Sequence, residues 1–422
     1  MDFEIVSTKG NVFIYSNLTN HFTKNGEIVD LSHLKNLWIS PSKEIVTPFD
    51  EQDYSSLKKG KQIKTLKLFL GYNCNYNCGY CIQKQEQLKS PAPKKEDVDT
   101  LLTKFDDLGF EIGARTTIQL WGGEPFVYLK TLQYLIPKLR AKYPNTAIWT
   151  ISNGSLMNQY ILDMLVENRI YLTFSHDGQG YFVRGEDPLK DPNKQAIWRK
   201  TVETYKENEL RFSINAVISQ YNSDLFALQD YLIEKLSPNF KLSFEGVVVA
   251  HTKTSVEFTQ FPKKAREQLE YSIQRAFFEE PESLVTAALL QRIQLFLGMV
   301  SNQADAMTIY GRCNAIKGNS LTVDFKGNVL SCHNASSTRQ YVGTLDDYEN
   351  ICMDKFTHWS RRPKCPDCLV LDLCRGNCIR DTAESHISGC PVQEMFHTML
   401  FKTAFTLMTG ETIKQIKQIK AI

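Results

Sequence analysis

The sequence predicts an α/β fold, a partial (β/α)6 barrel with an N-terminal extension and a cysteine-rich C-terminal domain. Between residues 65 and 247, six segments of strand character alternate with five segments of helical character. This alternation is typical of a parallel sheet with helical crossovers, in which the loops after the strands carry the active site. The chain of 422 residues is also long enough for two or three domains.

The first 62 residues are predicted to form short strands and turns, with strands at 4–8, 12–16 and 27–31. Lys9-Gly10 and Asn25-Gly26 indicate turns between these strands, and a polar linker near 54–62 precedes the barrel. Two interpretations of this extension stay open. It could dock a leader peptide by strand addition, or it could cap the barrel.

The barrel itself is expected to occupy residues 63–250. Its predicted strands are 65–70, 116–121, 147–152, 171–175, 213–218 and 241–247, with helices near 95–109, 126–142, 156–168, 193–208 and 222–236. A helical bridge should follow at 251–308 and the cysteine-rich domain at 309–396. Residues 397–422 are predicted to be a C-terminal helix, in which isoleucines recur at three-residue steps.

Charge and hydropathy exclude some classes of partner. The chain carries 49 basic and 47 acidic residues, a net charge of +2, which makes no electrostatic case for nucleic acid or an anionic membrane. No uninterrupted apolar run approaches the length of a membrane span, and the N-terminus lacks the order of a signal peptide. We therefore expect a cytoplasmic protein, whose closely spaced thiols favour metal sites over disulfides.

Ten of the eleven cysteines fall into two spaced sets. The first set, Cys74, Cys78 and Cys81, follows the first barrel strand. Three thiolates can hold three irons of a [4Fe–4S] cluster and leave the fourth iron open, whereas a structural zinc site would need a fourth ligand.

The second set consists of Cys313, Cys332, Cys365, Cys368, Cys374, Cys378 and Cys390. Its spacing suits iron–sulfur clusters or two zinc ribbons, and the remaining Cys352 is expected to be a plain buried thiol.

The first cysteine set, with Tyr80 before its last member, resembles the radical S-adenosylmethionine (SAM) superfamily. Four further segments follow successive strands in the order that this family shows. They are Gly122-Gly123-Glu124-Pro125, Ser152-Asn153-Gly154, Ser175-His176-Asp177-Gly178 with Arg184, and Asn215. The resemblance covers residues 65–250 and implies a TIM-like barrel that binds SAM.

The resemblance also implies individual contacts with SAM. Glu124, after the two glycines, would meet the methionine amino group. Ser175 and Asp177 would meet the ribose and carboxylate. Arg184 would pair with the carboxylate, and the backbone of Asn215 would meet the adenosine moiety. The segment Ser152-Asn153 stands where the family usually has Thr-Asn.

The second cysteine set, with Gly327 before Cys332, resembles the seven-cysteine SPASM extension of radical SAM enzymes. This resemblance implies two auxiliary [4Fe–4S] clusters, and thus three clusters in all. One auxiliary cluster would be held by Cys365, Cys368, Cys374 and Cys390, and the other by Cys313, Cys332 and Cys378. Around Gly327, residues 322–332 are predicted to form a hairpin.

Enzymes of this kind mostly modify peptides. The resemblance implies a 5′-deoxyadenosyl radical, an electron donor such as flavodoxin or ferredoxin, and a precursor peptide with a leader as substrate. We favour a maturase that cross-links side chains, similar to those of cyclophane and darobactin-type peptides. The alternative is an anaerobic sulfatase-maturing enzyme that makes formylglycine. His333 stands where that branch commonly has an aspartate base, which counts against the alternative. Glu245 and His333 are the candidates for the proton acceptor.

Overall fold

The computed structural model describes residues 1–37, 58–83, 91–248, 257–308, 317–333, 341–352, 358–378 and 383–419. The first element is a small antiparallel sheet. Its N-terminal strands are β1 (Asp2–Ser7), β2 (Val12–Ser16), β3 (Phe22–Lys24) and β4 (Glu27–Ile28). Alternate side chains of β1 and β2 are buried, as expected for strands with one face on a core. The predicted strands at 4–8 and 12–16 are thus confirmed as β1 and β2, the one predicted at 27–31 is shorter and ends at Ile28, and β3 was not predicted.

The barrel follows with all six predicted strands and all five predicted helices. The strands are β5 (Thr65–Phe69), β6 (Thr117–Trp121), β7 (Ala147–Ser152), β8 (Ile170–Ser175), β9 (Phe212–Ile218) and β10 (Lys241–Val247). The helices are α1 (Lys95–Asp107), α2 (Leu129–Lys142), α3 (Gln159–Glu167), α4 (Pro192–Glu207) and α5 (Leu225–Lys235). Neighbouring strands pair in parallel in chain order, so all six carboxyl ends meet at one rim.

The bridge and the cysteine-rich domain complete the chain. Their elements are α6 (Lys263–Phe278), α7 (Leu284–Ser301), β11 (Ser320–Asp324), β12 (Asn328–Leu330), β13 (Tyr341–Thr344), α8 (Leu371–Cys374), α9 (Ala383–Thr409) and β14 (Ile413–Ile419). The predicted hairpin is confirmed as β11 and β12, joined by a turn in which Gly327 has φ +83°. Side chains other than glycine rarely adopt that conformation.

The hairpin is part of the barrel wall, which the sequence did not indicate. Strand β11 pairs in parallel with β5 from Ser320 opposite Thr65 to Asp324 opposite Phe69. The sheet therefore has nine strands, in the order β10-β9-β8-β7-β6-β5-β11-β12-β13. The cysteine-rich domain thus begins on the open edge of the barrel, directly beside the strand that leads into the first cysteine set.

The predicted C-terminal helix over 397–422 is wrong in both bounds. Helix α9 begins at Ala383 and ends at Thr409, and Gly410 with φ +68° follows as its stop residue. Residues Ile413–Ile419 form β14, which pairs antiparallel with β1. The three-residue spacing of the isoleucines misled the prediction. The open edge of β1 supplies backbone partners for a strand in which isoleucine, a residue with high strand propensity, recurs.

Helix α7, with 18 residues, is long and apolar enough to cross a membrane by length and composition, although threonine, glutamine and arginine residues interrupt its apolar positions. Half of that segment is buried inside the protein, however, and Leu289, Ile293 and Leu297 belong to the main hydrophobic core. A core helix of this kind meets the same criteria as a membrane span.

The N-terminal sheet packs on α9. The Phe13 ring lies 5.2 Å from the Phe405 ring, and the Tyr15 ring lies 5.3 Å from the Phe401 ring. The Asn17 amide donates to the backbone carbonyls of Pro366 and Cys368, both at 2.9 Å. The extension therefore braces the cysteine-rich domain.

Candidate active site

The first cysteine set lies on the loop after β5, against the loop after β6. The backbone N–H of Gly123 donates to Gly71 O at 2.9 Å, and that of Glu124 donates to Asn73 O at 2.9 Å. A Cβ on Gly123 would lie 2.5 Å from the carbonyl oxygens of Tyr72 and Asn73. In this structure, glycine at position 123 allows the close approach of the cysteine loop.

The three cysteines of this loop are close enough to influence one another. Burial is the main reason that the pKa of Cys74 rises to about 12, and the thiols of Cys78 and Cys81 add to that effect. Burial raises the pKa of Cys78 to about 11, although the nearby Arg184 cation lowers it in part. The Tyr76 backbone N–H donates to Cys74 Sγ at 3.4 Å.

These observations fit an iron–sulfur cluster. Cysteine thiolates are the usual ligands of such clusters, and N–H donors to sulfur are among the contacts that tune them. Within the residues that the structure describes, no three His, Cys, Asp or Glu side chains converge closely enough to hold a single metal ion.

Glu124 joins the motifs after β6 and β7. Its side chain is 1% exposed. One carboxylate oxygen accepts from Phe126 N at 3.0 Å and Ser152 Oγ at 2.7 Å, and the other accepts from Asn153 N at 2.7 Å. A carboxylate offers about four acceptor positions, so one remains for a ligand such as an ammonium group. Burial raises the pKa of Glu124 to about 7, although these three donors favour its ionised form.

The segment after β7 connects the same loops. The Asn153 amide donates to Asn75 Oδ1 at 2.9 Å, within the first cysteine loop. Gly154 has φ +71°, and the Trp198 indole packs where its Cβ would lie while donating to Gly154 O at 3.0 Å. The predicted residues Ser152 and Asn153 therefore position Glu124 and the cysteine loop.

The segment after β8 contains a buried ion pair. Arg184 Nε lies 2.8 Å from one oxygen of Asp177, and Arg184 Nη2 lies 3.2 Å from the other. Both side chains are less than 10% exposed. The Tyr80 hydroxyl and the Val217 N–H also donate to Asp177, which fills its acceptor positions. Arg184 uses two of its roughly five N–H donors on Asp177 and keeps the others available for a ligand carboxylate.

Asn215 and Glu245 lie together beside this segment. The Asn215 side chain accepts from Ser243 Oγ at 3.0 Å and donates to Glu245 Oε2 at 3.4 Å. Its backbone carbonyl accepts from His176 N at 3.0 Å, next to Ser175 at the end of β8. The Glu245 side chain is exposed, and Arg292 binds the Glu245 backbone carbonyl at 2.8 Å.

His333 contacts the first barrel strand through a residue that sequence reasoning missed. Lys67 Nζ lies 2.7 Å from His333 Nδ1, and the Trp121 ring lies 4.0 Å from the imidazole. Burial, followed by the Lys67 cation, holds the pKa of His333 well below its usual value. A neutral imidazole that accepts from Lys67 at Nδ1 carries its proton on Nε2 and has no free lone pair. The sequence feature that could have indicated this contact is the single lysine between Leu66 and Leu68 in a largely buried strand.

The four cysteines that the resemblance assigned to one auxiliary cluster line a common cavity. They are Cys365, Cys368, Cys374 and Cys390. In the other assigned set, Cys332 comes after strand β12 and lies beside His333. The backbone carbonyl of Cys378 accepts a hydrogen bond from Arg362 at 2.7 Å. Cys313 lies outside the described residues. Cys352 is exposed, so the expectation of a buried thiol is wrong.

Comparison with known proteins agrees with this arrangement. The family described as the Radical SAM superfamily matches residues 68–224, which include the first cysteine set, the motifs after β6, β7 and β8, and Asn215 on β9. Residues 68–224 are thus a radical SAM domain. The chain is accordingly an enzyme, and this domain implies a [4Fe–4S] cluster and SAM as cofactors.

Two relatives and two structures show how far the similarity extends. The radical SAM cyclopropyl synthase TigE of Paramaledivibacter caminithermalis is 21% identical over 352 residues, 78% of this chain and 71% of that protein. An S-adenosylmethionine-dependent nucleotide dehydratase of Psychrobacter lutiphocae is 24% identical over 209 residues, 45% of this chain and 68% of that protein.

The structure of anSMEcpe with AdoMet and the Cp18Cys peptide has a TM-score of 0.56 at 16% identity, covering 82% of this chain and 99% of that chain. Streptococcus suis SuiB with its precursor peptide SuiA has a TM-score of 0.50 at 16% identity, covering 76% of this chain and 72% of that chain. These two likenesses confirm the α/β barrel fold of this radical SAM enzyme.

Proposed function

We propose that this radical SAM enzyme is a peptide maturase that oxidatively cross-links side chains of a ribosomally made precursor peptide. The observation that carries the proposal is the parallel pairing of β11 with β5. It places His333, which follows Cys332 in the chain, against Lys67 and Trp121 of the barrel wall. A cluster ligated by Cys332 would lie beside the barrel, where a substrate radical could lose its second electron.

Three clusters belong to this proposal. The set Cys74, Cys78 and Cys81 would hold the cluster that binds SAM, and the two C-terminal sets would hold auxiliary clusters. SAM bound to the first cluster supplies a 5′-deoxyadenosyl radical, which can remove hydrogen from an unactivated carbon. Auxiliary clusters can accept an electron because protein surroundings tune cluster potentials over roughly −700 to +450 mV.

The chain's own residues would orient SAM. The remaining acceptor position of Glu124 suits the methionine ammonium, and the remaining donors of Arg184 suit the carboxylate. Ser175 and Asn215 lie opposite each other on β8 and β9, at the rim where a nucleoside would bind. The roles of Tyr80 and Asp177 are to hold Arg184, through the hydrogen bonds and the ion pair described above.

The relatives support a peptide substrate and a bond-forming reaction. SuiB binds a precursor peptide, anSMEcpe binds a peptide together with AdoMet, and TigE is named a cyclopropyl synthase.

For the proton acceptor, Glu245 is the better candidate, because its side chain is exposed at the barrel end whereas His333 is engaged by Lys67. Formylglycine formation remains the alternative function.

The test is an anaerobic reaction of the reconstituted enzyme with SAM, a reductant and the precursor peptide encoded beside its gene. Each bond formed should make the product about two mass units lighter, and fragmentation should show a protected ring. The control is the triple variant Cys74→Ala, Cys78→Ala, Cys81→Ala, which should lose about one third of the iron and all SAM cleavage. An aldehyde on a Cys or Ser of a sulfatase-type peptide, with no turnover of the precursor, would favour the alternative.

A further inference from the structure

The cavity of the four C-terminal cysteines is lined by polar side chains that the proposed function does not use, among them His386 and Glu394. His386, Cys390 and Glu394 recur at four-residue steps along α9 and therefore lie on one face of that helix. All three line the cavity together with Cys365, Cys368 and Cys374. This inference rests on the proposed function, because it takes these four cysteines as the ligands of an auxiliary cluster.

His386 contacts one of these ligands directly. Its Nε2 lies 3.5 Å from Cys365 Sγ and 3.2 Å from the Pro363 carbonyl oxygen. His386 is 4% exposed and Cys365 is 6% exposed. A carbonyl oxygen can only accept, so the proton must be on Nε2, and the same N–H is directed between the carbonyl and the sulfur.

Glu394 lines the same cavity with a carboxylate side chain. It follows Cys390 by about one turn of α9, on the helix face that carries this cluster ligand. A negative charge near a cluster disfavours further negative charge on it, just as it disfavours a thiolate.

We propose that His386 raises the reduction potential of the cluster held by Cys365, Cys368, Cys374 and Cys390, and that Glu394 lowers it. Reduction adds one electron to the cluster and its thiolates. An N–H donor to Cys365 stabilises the reduced form more than the oxidised form, whereas a carboxylate destabilises it. The two residues act as positioning residues that set whether this cluster can accept an electron.

The experiment is a redox titration of the full-length, anaerobically reconstituted protein, followed by electron paramagnetic resonance. Substituting Cys74, Cys78 and Cys81 with alanine removes the SAM-binding cluster from the spectrum. The resonance of the cluster in question is then the one that disappears in the Cys365→Ala, Cys368→Ala double variant. If no resonance depends on these two cysteines, the proposed ligand set is wrong, which is a failure of the proposed function.

His386→Leu should decrease the ratio of reduced to oxidised cluster about tenfold at a fixed potential, equal to about 59 mV for a one-electron couple. His386→Gln, which keeps an N–H donor, should recover much of that loss. Glu394→Gln should shift the potential in the opposite direction. Equal iron content in all variants shows that the cluster is intact.

An unchanged or higher potential in His386→Leu with full iron would overturn the inference while leaving the ligand set intact. If His386→Leu loses iron, the wild-type protein still decides the matter. With ¹⁵N-labelled histidine, pulsed resonance should detect magnetic coupling between the reduced cluster and one imidazole nitrogen. The coupling should vanish in His386→Gln, and its absence in the wild type would refute the contact.

Discussion

Replacing Arg184 with alanine should destabilise the barrel as well as weaken SAM binding. The guanidinium is the ionic partner of Asp177, and both groups are buried. Removing one member of a buried ion pair typically costs about 3–5 kcal/mol, since the other charge stays buried without its partner. The Tyr80 hydroxyl and Val217 N–H would remain as donors to Asp177, so we expect the lower end, about 3 kcal/mol.

Anaerobic denaturant titration of reconstituted protein measures this loss, with and without excess SAM. The double variant Asp177→Asn, Arg184→Ala should lose less than the sum of the two single variants, with a coupling of about 0.5–3 kcal/mol. SAM at a hundred times its dissociation constant should stabilise the wild type by about 2.7 kcal/mol and the Arg184→Ala variant by clearly less. Additive losses would refute the ion pair, and equal stabilisation by SAM would refute the contact of Arg184 with SAM.

Three further variants test other parts of the site. Because burial raises the pKa of Glu124 from 4.5 to about 7, the folded state holds a proton that the unfolded state releases, and stability should fall by up to about 3 kcal/mol as the pH rises from about 4.5 to 7. Denaturation midpoints across that range should lose this slope in Glu124→Gln, and an unchanged slope would contradict the assignment. Lys67→Met removes the cation that, second to burial, lowers the pKa of His333. Because Glu245 is the favoured proton acceptor, SAM cleavage without peptide should persist and product formation, measured by mass spectrometry, should keep its dependence on pH. A changed pH profile would show that His333 is linked to turnover. Asn17→Ala leaves two backbone carbonyls of the cysteine-rich loop without their donor, at about 1–3 kcal/mol each. It should speed iron release to a chelator, whereas the matched control Asn11→Ala on the same sheet should not.

The sequence predicted the barrel well because its signals are local. Each strand from β5 to β10 is a short run of apolar and β-branched residues bounded by turn residues, and each helix repeats its apolar positions at helical spacing. The same local logic failed at Ile413–Ile419, since the strand there depends on the edge of β1, more than 400 residues earlier in the chain.

Residue identities at the candidate site were predictable, but several of their contacts were not. Glu124 and Ser152 were both named as SAM-binding residues, and the structure shows that they bind each other. Asp177 and Arg184 were also assigned to SAM, and they form an ion pair. A motif predicts which residues follow a strand. The contacts of their side chains also depend on the loop after the neighbouring strand, which the motif does not describe.

By itself, the sequence determined the class of protein: three cysteines after a first strand, four motifs after later strands, and a spaced second cysteine set. Only the tertiary structure decided how these parts meet. It joined the cysteine-rich hairpin to the barrel through β11 and β5, placed Lys67 against His333, and set the N-terminal sheet on α9 beside the C-terminal cysteines. These contacts join residues that are hundreds of positions apart. Their free energy comes from burial and backbone pairing between distant segments, and local sequence patterns do not encode which segments pair.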